Sequence, residues 1–230
     1  MAQLQASRVD RHCPEELHSG DRMSRAEFHR IYEQMPEDFK AELVGGIVYV
    51  ASPLGIEHAT NHLPLGSVLL AYEGATPGVQ SGNNGTIILS DVAEPQPDLF
   101  LRILPEFGGQ SKTSEDGYVE GPPELVAEIA YSTRALDLHA KRNDYARYGV
   151  REYLVVSLKE RQLKWFDLQA DKELAVDTDG ICRVRTFPGL WIHADGLLQR
   201  NHQQLMATLQ QGLQTPEHAE FVKRLAAARK

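Results

Sequence analysis

Pro123-Glu124-Leu125-Val126-Ala127-Glu128-Ile129-Ala130 is followed after three residues by helical periodicity over 134–148, then by Gly149 and a second apolar run over 152–158. The first run is apolar at almost every position. A half-buried strand would alternate, so this one reads as a strand covered on both faces. Gly149 stands where a helix C-cap prefers glycine. Strand, helix and strand in this order make one α/β unit inside a mixed β-sheet flanked by helices. Glu128 is its anomaly, because an ionised carboxylate in the middle of a doubly covered strand is costly unless a partner compensates it.

On the N-terminal side, Ser24-Arg25-Ala26-Glu27 has the form of a capping box, and Phe28, Ile31, Tyr32 and Met35 follow at helical spacing up to Pro36. Glu42-Leu43-Val44, Gly45-Gly46 and Ile47-Val48-Tyr49-Val50 predict a hairpin, since paired glycines supply the positive φ of a tight turn. A helix is expected over 56–72, with Pro64 near enough to its middle to break or kink it. Short strands are expected over 78–80, 86–90 and 98–103. Residues 105–121, rich in Gly, Ser and charge, read as a flexible surface loop beside the site.

On the C-terminal side, 152–158 and 162–168 form a second expected hairpin, with weaker strands over 173–176 and 182–186. Phe187, Leu190 and Trp191 around Pro188-Gly189 are expected to close the core or an oligomer interface. Thr215-Pro216-Glu217 is a helix start, so the tail is expected to be helical. The expected division is a flexible segment over 1–23, a main domain over 24–200 and a helical appendage over 201–230, suited to dimerisation or partner binding.

The 230 residues are 42% hydrophobic and 24% charged, which fits a globular domain and excludes a disordered or collagen-like chain. No run approaches the roughly 18 apolar residues of a membrane helix. Residues 1–21 lack the apolar core of a secretory signal. A soluble cytoplasmic protein without a membrane partner is expected. Cys13 and Cys182 stand in neither metal-ligand nor CxxC spacing, and no disulfide is expected between them. With 32 acids against 24 bases the formal charge is -8, which argues against a general nucleic-acid coat protein. The distribution is uneven: 41–130 holds 12 acids and two bases, Arg102 and Lys112, while 131–230 holds 12 acids and 16 bases.

Two further residues join Glu128. Asp98 follows Pro97 at the mouth of a strand, where Pro95 and Pro97 keep the chain extended. Lys141 shares a helix face with Tyr145 and Tyr148, so it points inward and either snorkels to an edge or pairs with a buried acid. Because its helix directly follows the Glu128 strand, the two can meet. Two carboxylates and an inward lysine are what metal-assisted phosphodiester hydrolysis requires: hard oxygens hold Mg²⁺, and the ammonium serves the nucleophile and the phosphate. The carbonyl of Ile129 is a natural further ligand. The alternatives are a structural ion pair for Glu128 and a strand-start turn for Asp98.

Pro97-Asp98, the 123–130 strand, Asp137, Lys141, Tyr145 and Gly149-Val150-Arg151-Glu152-Tyr153 together resemble the Uma-type family of restriction-endonuclease-like proteins in the PD-(D/E)xK nuclease superfamily. Glu42-Leu43-Val44-Gly45-Gly46 and the helix bearing His58 are similar to that family too. The resemblance runs from about Ser24 to Leu198. It implies a restriction-endonuclease-like mixed sheet with extra β-hairpins, and Asp98 and Glu128 as Mg²⁺ ligands, with Mn²⁺ able to substitute. It further implies Glu42 as another acid near the metal, DNA as substrate and a homodimer. The superfamily's lysine two residues after the second acid is missing, since Ala130 stands there; in this family the lysine is on the helix, at Lys141. Tyr131-Ser132-Thr133 departs from the family's Ser-Pro-Ser/Thr run.

His58 and His62 have the i, i+4 spacing of zinc ligands but no third ligand in pattern, so no zinc is assigned. Arg134, Arg142, Arg147 and Arg151 are interleaved with Asp137, Asp144 and Glu152, and read equally as phosphate contacts or as a solvated charged face. The reading from another class is a catalytically inactive nuclease-fold scaffold or nucleic-acid-binding module.

Overall fold

The computed structural model describes residues 16–52, 55–131 and 133–229. Cys13, Ser132 and the side chain of His58 lie outside the described residues. Ser24 caps helix α1 (Arg25–Tyr32), its hydroxyl accepting from the Glu27 amide as the capping box requires. Strands β1 (Ala41–Val44) and β2 (Ile47–Val50) pair antiparallel about Gly45 and Gly46, with φ of 57° and 76°, values that favour glycine. Helix α2 (Ile56–Ala75) runs through Pro64 as one element, three residues longer than the expected 56–72. Strands β3 (Val79–Asn83), β4 (Ile87–Ile88) and β5 (Leu99–Ile103) follow.

The stretch expected to be a flexible loop is more structured. It carries β6 (Lys112–Thr113) and β7 (Val119–Glu120), which pair with each other, and β7 pairs with β4. Gly117, at φ 87°, lets the chain reverse between them. After β8 (Leu125–Ala130), helical run α3 comprises Arg134–Leu136, a π-helical segment Asp137–Lys141, and Arg142–Tyr148. A uniform helix was the expectation; the π segment brings Asp137 and Lys141 both inward, and such segments concentrate at functional sites. Gly149 closes the run at φ 99°.

Next come β9 (Glu152–Ser157), β10 (Gln162–Asp167), β11 (Lys172–Leu174), β12 (Ile181–Arg183) and β13 (Trp191–His193). Helices α4 (Ala194–Leu198), α5 (His202–Leu213) and α6 (Pro216–Ala228) end the described chain. Six strands form the central sheet in the order β11-β10-β9-β8-β5-β3. Only β8 and β9 are parallel in it, joined by α3 as a crossover; the other neighbours are antiparallel.

The sheet is mixed and covered on both sides. Leu125, Ala127 and Ile129 of β8 pack against α2, while Val126 and Ala130 pack with Tyr145 of α3. The alternation turns Glu128 to the α3 side. Leu205 and Leu209 of α5, and Phe221 and Leu225 of α6, belong to the same cluster as α2 and the sheet. These helices therefore pack on the core that the sequence reading placed them beyond. Phe187 and Leu190 are fully buried in that cluster, and Trp191 begins β13. Residues 17–23 are tied down as well: Leu17 is buried, and the amides of Gly20 and Met23 donate to carbonyls of the β2 region. Among the described residues no helix is long and apolar enough to cross a membrane.

Since α5 supplies core side chains, Leu209→Ala is expected to cost about 3 kcal/mol. Urea unfolding should remain a single transition, coincident by tryptophan fluorescence and circular dichroism. A separate early loss of helix would show that α5 and α6 unfold on their own.

Candidate active site

Two strands supply the paired acids. Leu99 lies opposite Ala127 in the antiparallel register, so one step further sets Asp98 opposite Glu128. The pair interlocks through the backbone: the Asp98 amide donates to Glu128 Oε2 over 3.2 Å, and the Ile129 amide donates to Asp98 Oδ2 over 2.7 Å. His62 of α2 places Nε2 2.8 Å from the Asp98 carbonyl oxygen.

The α3 run supplies the cation. Lys141 Nζ donates to Glu128 Oε1 over 2.9 Å and lies 2.9 Å from Glu42 Oε2 and 3.9 Å from Asp137 Oδ1. The Tyr145 hydroxyl donates to the same Glu128 Oε1 over 3.0 Å. Asp137 is held by the Thr133 hydroxyl at 2.7 Å, and its carbonyl accepts from the Tyr153 hydroxyl at 3.1 Å.

Glu42 comes from a separate small core in which α1, β1 and β2 bury Phe28, Ile31, Leu43 and Val48. Three contacts dock that unit on the site. Asp144 Oδ2 on α3 accepts from the Gly45 amide at 2.6 Å, Leu43 and Glu94 exchange backbone hydrogen bonds, and the Gln96 amide donates to Glu42 Oε2 over 3.2 Å.

Three acids, Glu42, Glu128 and Asp137, thus gather around one lysine, and Asp98 interlocks with Glu128 beside them. The Lys141, Glu128 and Asp137 side chains are 5%, 4% and 2% exposed, against 15% for Glu42. Burial raises Glu128 well above the usual carboxylate range; Lys141 opposes the rise, while Asp98, Asp137 and Glu42 add to it. Burial likewise raises Asp137 to about 6 against the pull of Lys141. For Lys141, burial acts downward, but Glu128, Glu42 and Asp137 outweigh it and hold the amine well above the ordinary lysine value. The ammonium stays charged at any working pH.

Glu42, Asp98, Glu128 and Lys141, all singled out in the sequence, come together here. Asp137, Tyr145 and Tyr153 complete the cluster. All three stand among the residues that carry the family resemblance, without a role assigned there; Asp137 and Tyr145 are also each four residues from Lys141 on one helix, while Tyr153 of β9 has no such spacing. Arg134 and Arg142 pair with Glu160 and Asp171, and Arg147 lies over the Tyr148 ring, which leaves them in the charged face.

Among the described residues no three or more His, Cys, Asp or Glu side chains form a group that could hold a metal ion by themselves. A cation here would draw on the Asp98 and Glu128 carboxylates and the Ile129 carbonyl, with water or phosphate completing its shell. That set of hard oxygens, in an excess of negative charge, fits Mg²⁺, which usually keeps several waters.

The family model Uma2, described as "Putative restriction endonuclease", matches residues 25–195. A solved structure from Anabaena variabilis, titled a putative nuclease belonging to DUF820, is similar over 74% of this chain and 96% of that one. Its TM-score is 0.57 at 15% identity, a likeness of fold. No curated protein matches the chain.

The folded-state pKa of Asp137, about 6, lies above the ordinary aspartate value of 3.8, so protonation favours the fold, and that stabilisation is lost as pH rises between about 4 and 6. Lys141, Thr133, Glu42 and Asp98 are the groups that modulate it. In metal-free buffer Asp137→Asn is therefore expected to stabilise the protein at pH 8, by a quantity of order 2 kcal/mol. The gain should shrink toward pH 4. Urea midpoints at the two pH values measure it, and a gain that is the same at both would contradict the assignment.

Proposed function

We propose, on the premise that the chain belongs to the Uma2 family, that it is an endonuclease hydrolysing phosphodiester bonds in DNA with the help of a divalent cation, Mg²⁺ or in its place Mn²⁺. The observation that supports this most is the charge imbalance around Lys141. Three carboxylates within 4 Å of one buried ammonium, with Asp98 interlocked beside Glu128, exceed what a structural ion pair needs, and a bound cation would compensate the excess.

In this reading Asp98 and Glu128 hold the cation together with the Ile129 carbonyl. When bound, the ion would lower the pKa of a water and offset charge on the phosphate. Lys141, held charged, orients the attacking water and stabilises negative charge growing on the phosphate oxygens. Glu42 fixes the ammonium while bonded to the Gln96 amide, and is a positioning residue. Tyr145 and the Asp98 amide hold the Glu128 carboxylate in one orientation, the role that hydrogen-bonding partners commonly play for a metal ligand. Cutting both strands of a duplex calls for two such sites, which a homodimer would provide.

One observation favours the second reading, a catalytically inactive nucleic-acid-binding module: both oxygens of Glu128 already accept hydrogen bonds from the protein. The two readings separate in one experiment. Mn²⁺ and Mg²⁺ are titrated calorimetrically into the protein and into Asp98→Asn and Glu128→Gln, and plasmid cleavage is followed in parallel. Binding that is lost in both variants, with cleavage reduced about a hundredfold or more and abolished by EDTA, is expected for a metal-dependent nuclease. If the unaltered protein neither binds either ion, with or without DNA, nor cuts, the second reading stands.

A further inference from the structure

A cleft of about 490 Å³ opens at the same end of the sheet as the acid cluster. Thr60 and Asn61 of α2, Leu158 and Arg161 of the β9–β10 turn, and Gln199 and Arg200 after α4 line it, and none of its lining residues is acidic. It lies on the α2 face of the sheet and the acids on the α3 face, and two elements link the two around the sheet's end. The Leu158 amide donates to the Ala130 carbonyl, and Ala130 is two residues from Glu128, roughly 7 Å of strand. Asn61 adjoins His62, whose ring meets the Asp98 carbonyl.

The two arginines differ from five others among the described residues. Arg25, Arg134, Arg142, Arg183 and Arg185 each have a carboxylate partner. Arg161 and Arg200 are exposed and have no ion-pair partner among the described residues. Both also hold left-handed backbone conformations, with φ of 52° and 57°, which side chains other than glycine and asparagine adopt at a cost. Arg200 occupies the residue after the α4 cap: its amide bonds the Leu197 carbonyl and the Asn201 amide bonds that of Gly196, the paired pattern in which glycine is usual. Arg161 ends the turn between two strands, another place suited to glycine or asparagine. Residues that the backbone disfavours at two positions, carrying the same charge into one cleft, point to a ligand.

We propose that this cleft is the subsite for the nucleic-acid backbone beside the scissile bond, with Arg161 and Arg200 each binding a phosphate. The planar guanidinium suits phosphate oxygens through paired hydrogen bonds. The cleft places positive charge at the sheet end that carries the acid cluster, in a chain whose net charge is -8, so the strand is gripped where the protein as a whole repels it. The proposal rests on the nuclease reading for the identity of the ligand, and the test separates the two.

Fluorescence anisotropy of labelled oligonucleotides, as single-stranded DNA, duplex DNA and RNA of one sequence, is measured in EDTA and again in Ca²⁺. The proteins are the unaltered chain, Arg161→Gly, Arg200→Gly and the double variant. Glycine relieves the left-handed backbone, so the variants are expected to melt no lower than the parent. Each single change should weaken binding roughly three- to tenfold near 0.1 M salt and reduce the slope of log affinity against log salt by about 0.7 to 0.9. The DNA and RNA arms report which strand the cleft prefers. Unchanged affinity and slope in the double variant, or no binding by the parent chain in either buffer, would overturn the proposal. Cleavage by a parent chain whose binding ignores the arginines overturns the cleft alone. Arginine-dependent binding without cleavage in any metal overturns the nuclease reading and leaves the cleft in place.

Discussion

A buried ammonium must be compensated where it lies, and Lys141 is compensated by groups from distant parts of the chain. Its Nζ lies 2.9 Å from Glu42 on β1 and 2.9 Å from Glu128 on β8, and 3.9 Å from Asp137 in its own helical run. The small α1–hairpin core, the central sheet and the crossover helix therefore have to converge on one point. The π segment serves the same end, since it carries Asp137 and Lys141 inward together. Further hydrogen bonds from Tyr145, Gln96 and the backbone of Asp98 limit how far any of these groups can move.

Around that point the molecule sorts its charge. The acids come from β1, the mouth of β5, β8 and α3. The neighbouring cleft is built from the start of α2 and from two turns that end in arginines. In the proposed reading these opposite signs suit a polyanion whose hydrolysis calls for a cation: the arginines would hold the backbone, and the carboxylates would hold the cation that activates the attacking water. The C-terminal helices contribute indirectly. By packing Leu205 and Leu209 into the α2 cluster they brace the helix that borders both the cleft and Asp98.

How much of this could be read from the residues depends on the range of the interaction. The capping box at Ser24, the Gly45-Gly46 hairpin and the Gly149 cap are local, and their backbone preferences are visible in the sequence. The all-apolar run around Glu128 announced a covered strand, and the helical face of Lys141 announced an inward amine. The hairpin within 105–121 escaped because its two strands are two residues each and are held by pairing with β4. Arg161 and Arg200 escaped because neither a left-handed φ at a non-glycine residue nor the absence of an acidic neighbour leaves a mark in sequence pattern.

The sequence by itself determined the α/β class, the strand–helix–strand unit and the candidates Asp98, Glu128 and Lys141, because periodicity and the anomaly of charge in an apolar run are properties of neighbouring residues, while Glu42 was singled out only by the family resemblance. Tertiary structure alone decided that Glu42 reaches Lys141 across a separate core, that the helices within 202–228 brace the sheet, and that two turns bring into one cleft two arginines with no ion-pair partner among the described residues. The reason is physical: compensation of a buried charge and exposure of a free one are set by which distant segments the packing brings within a few ångströms, and residues far apart in a chain carry no local record of that meeting.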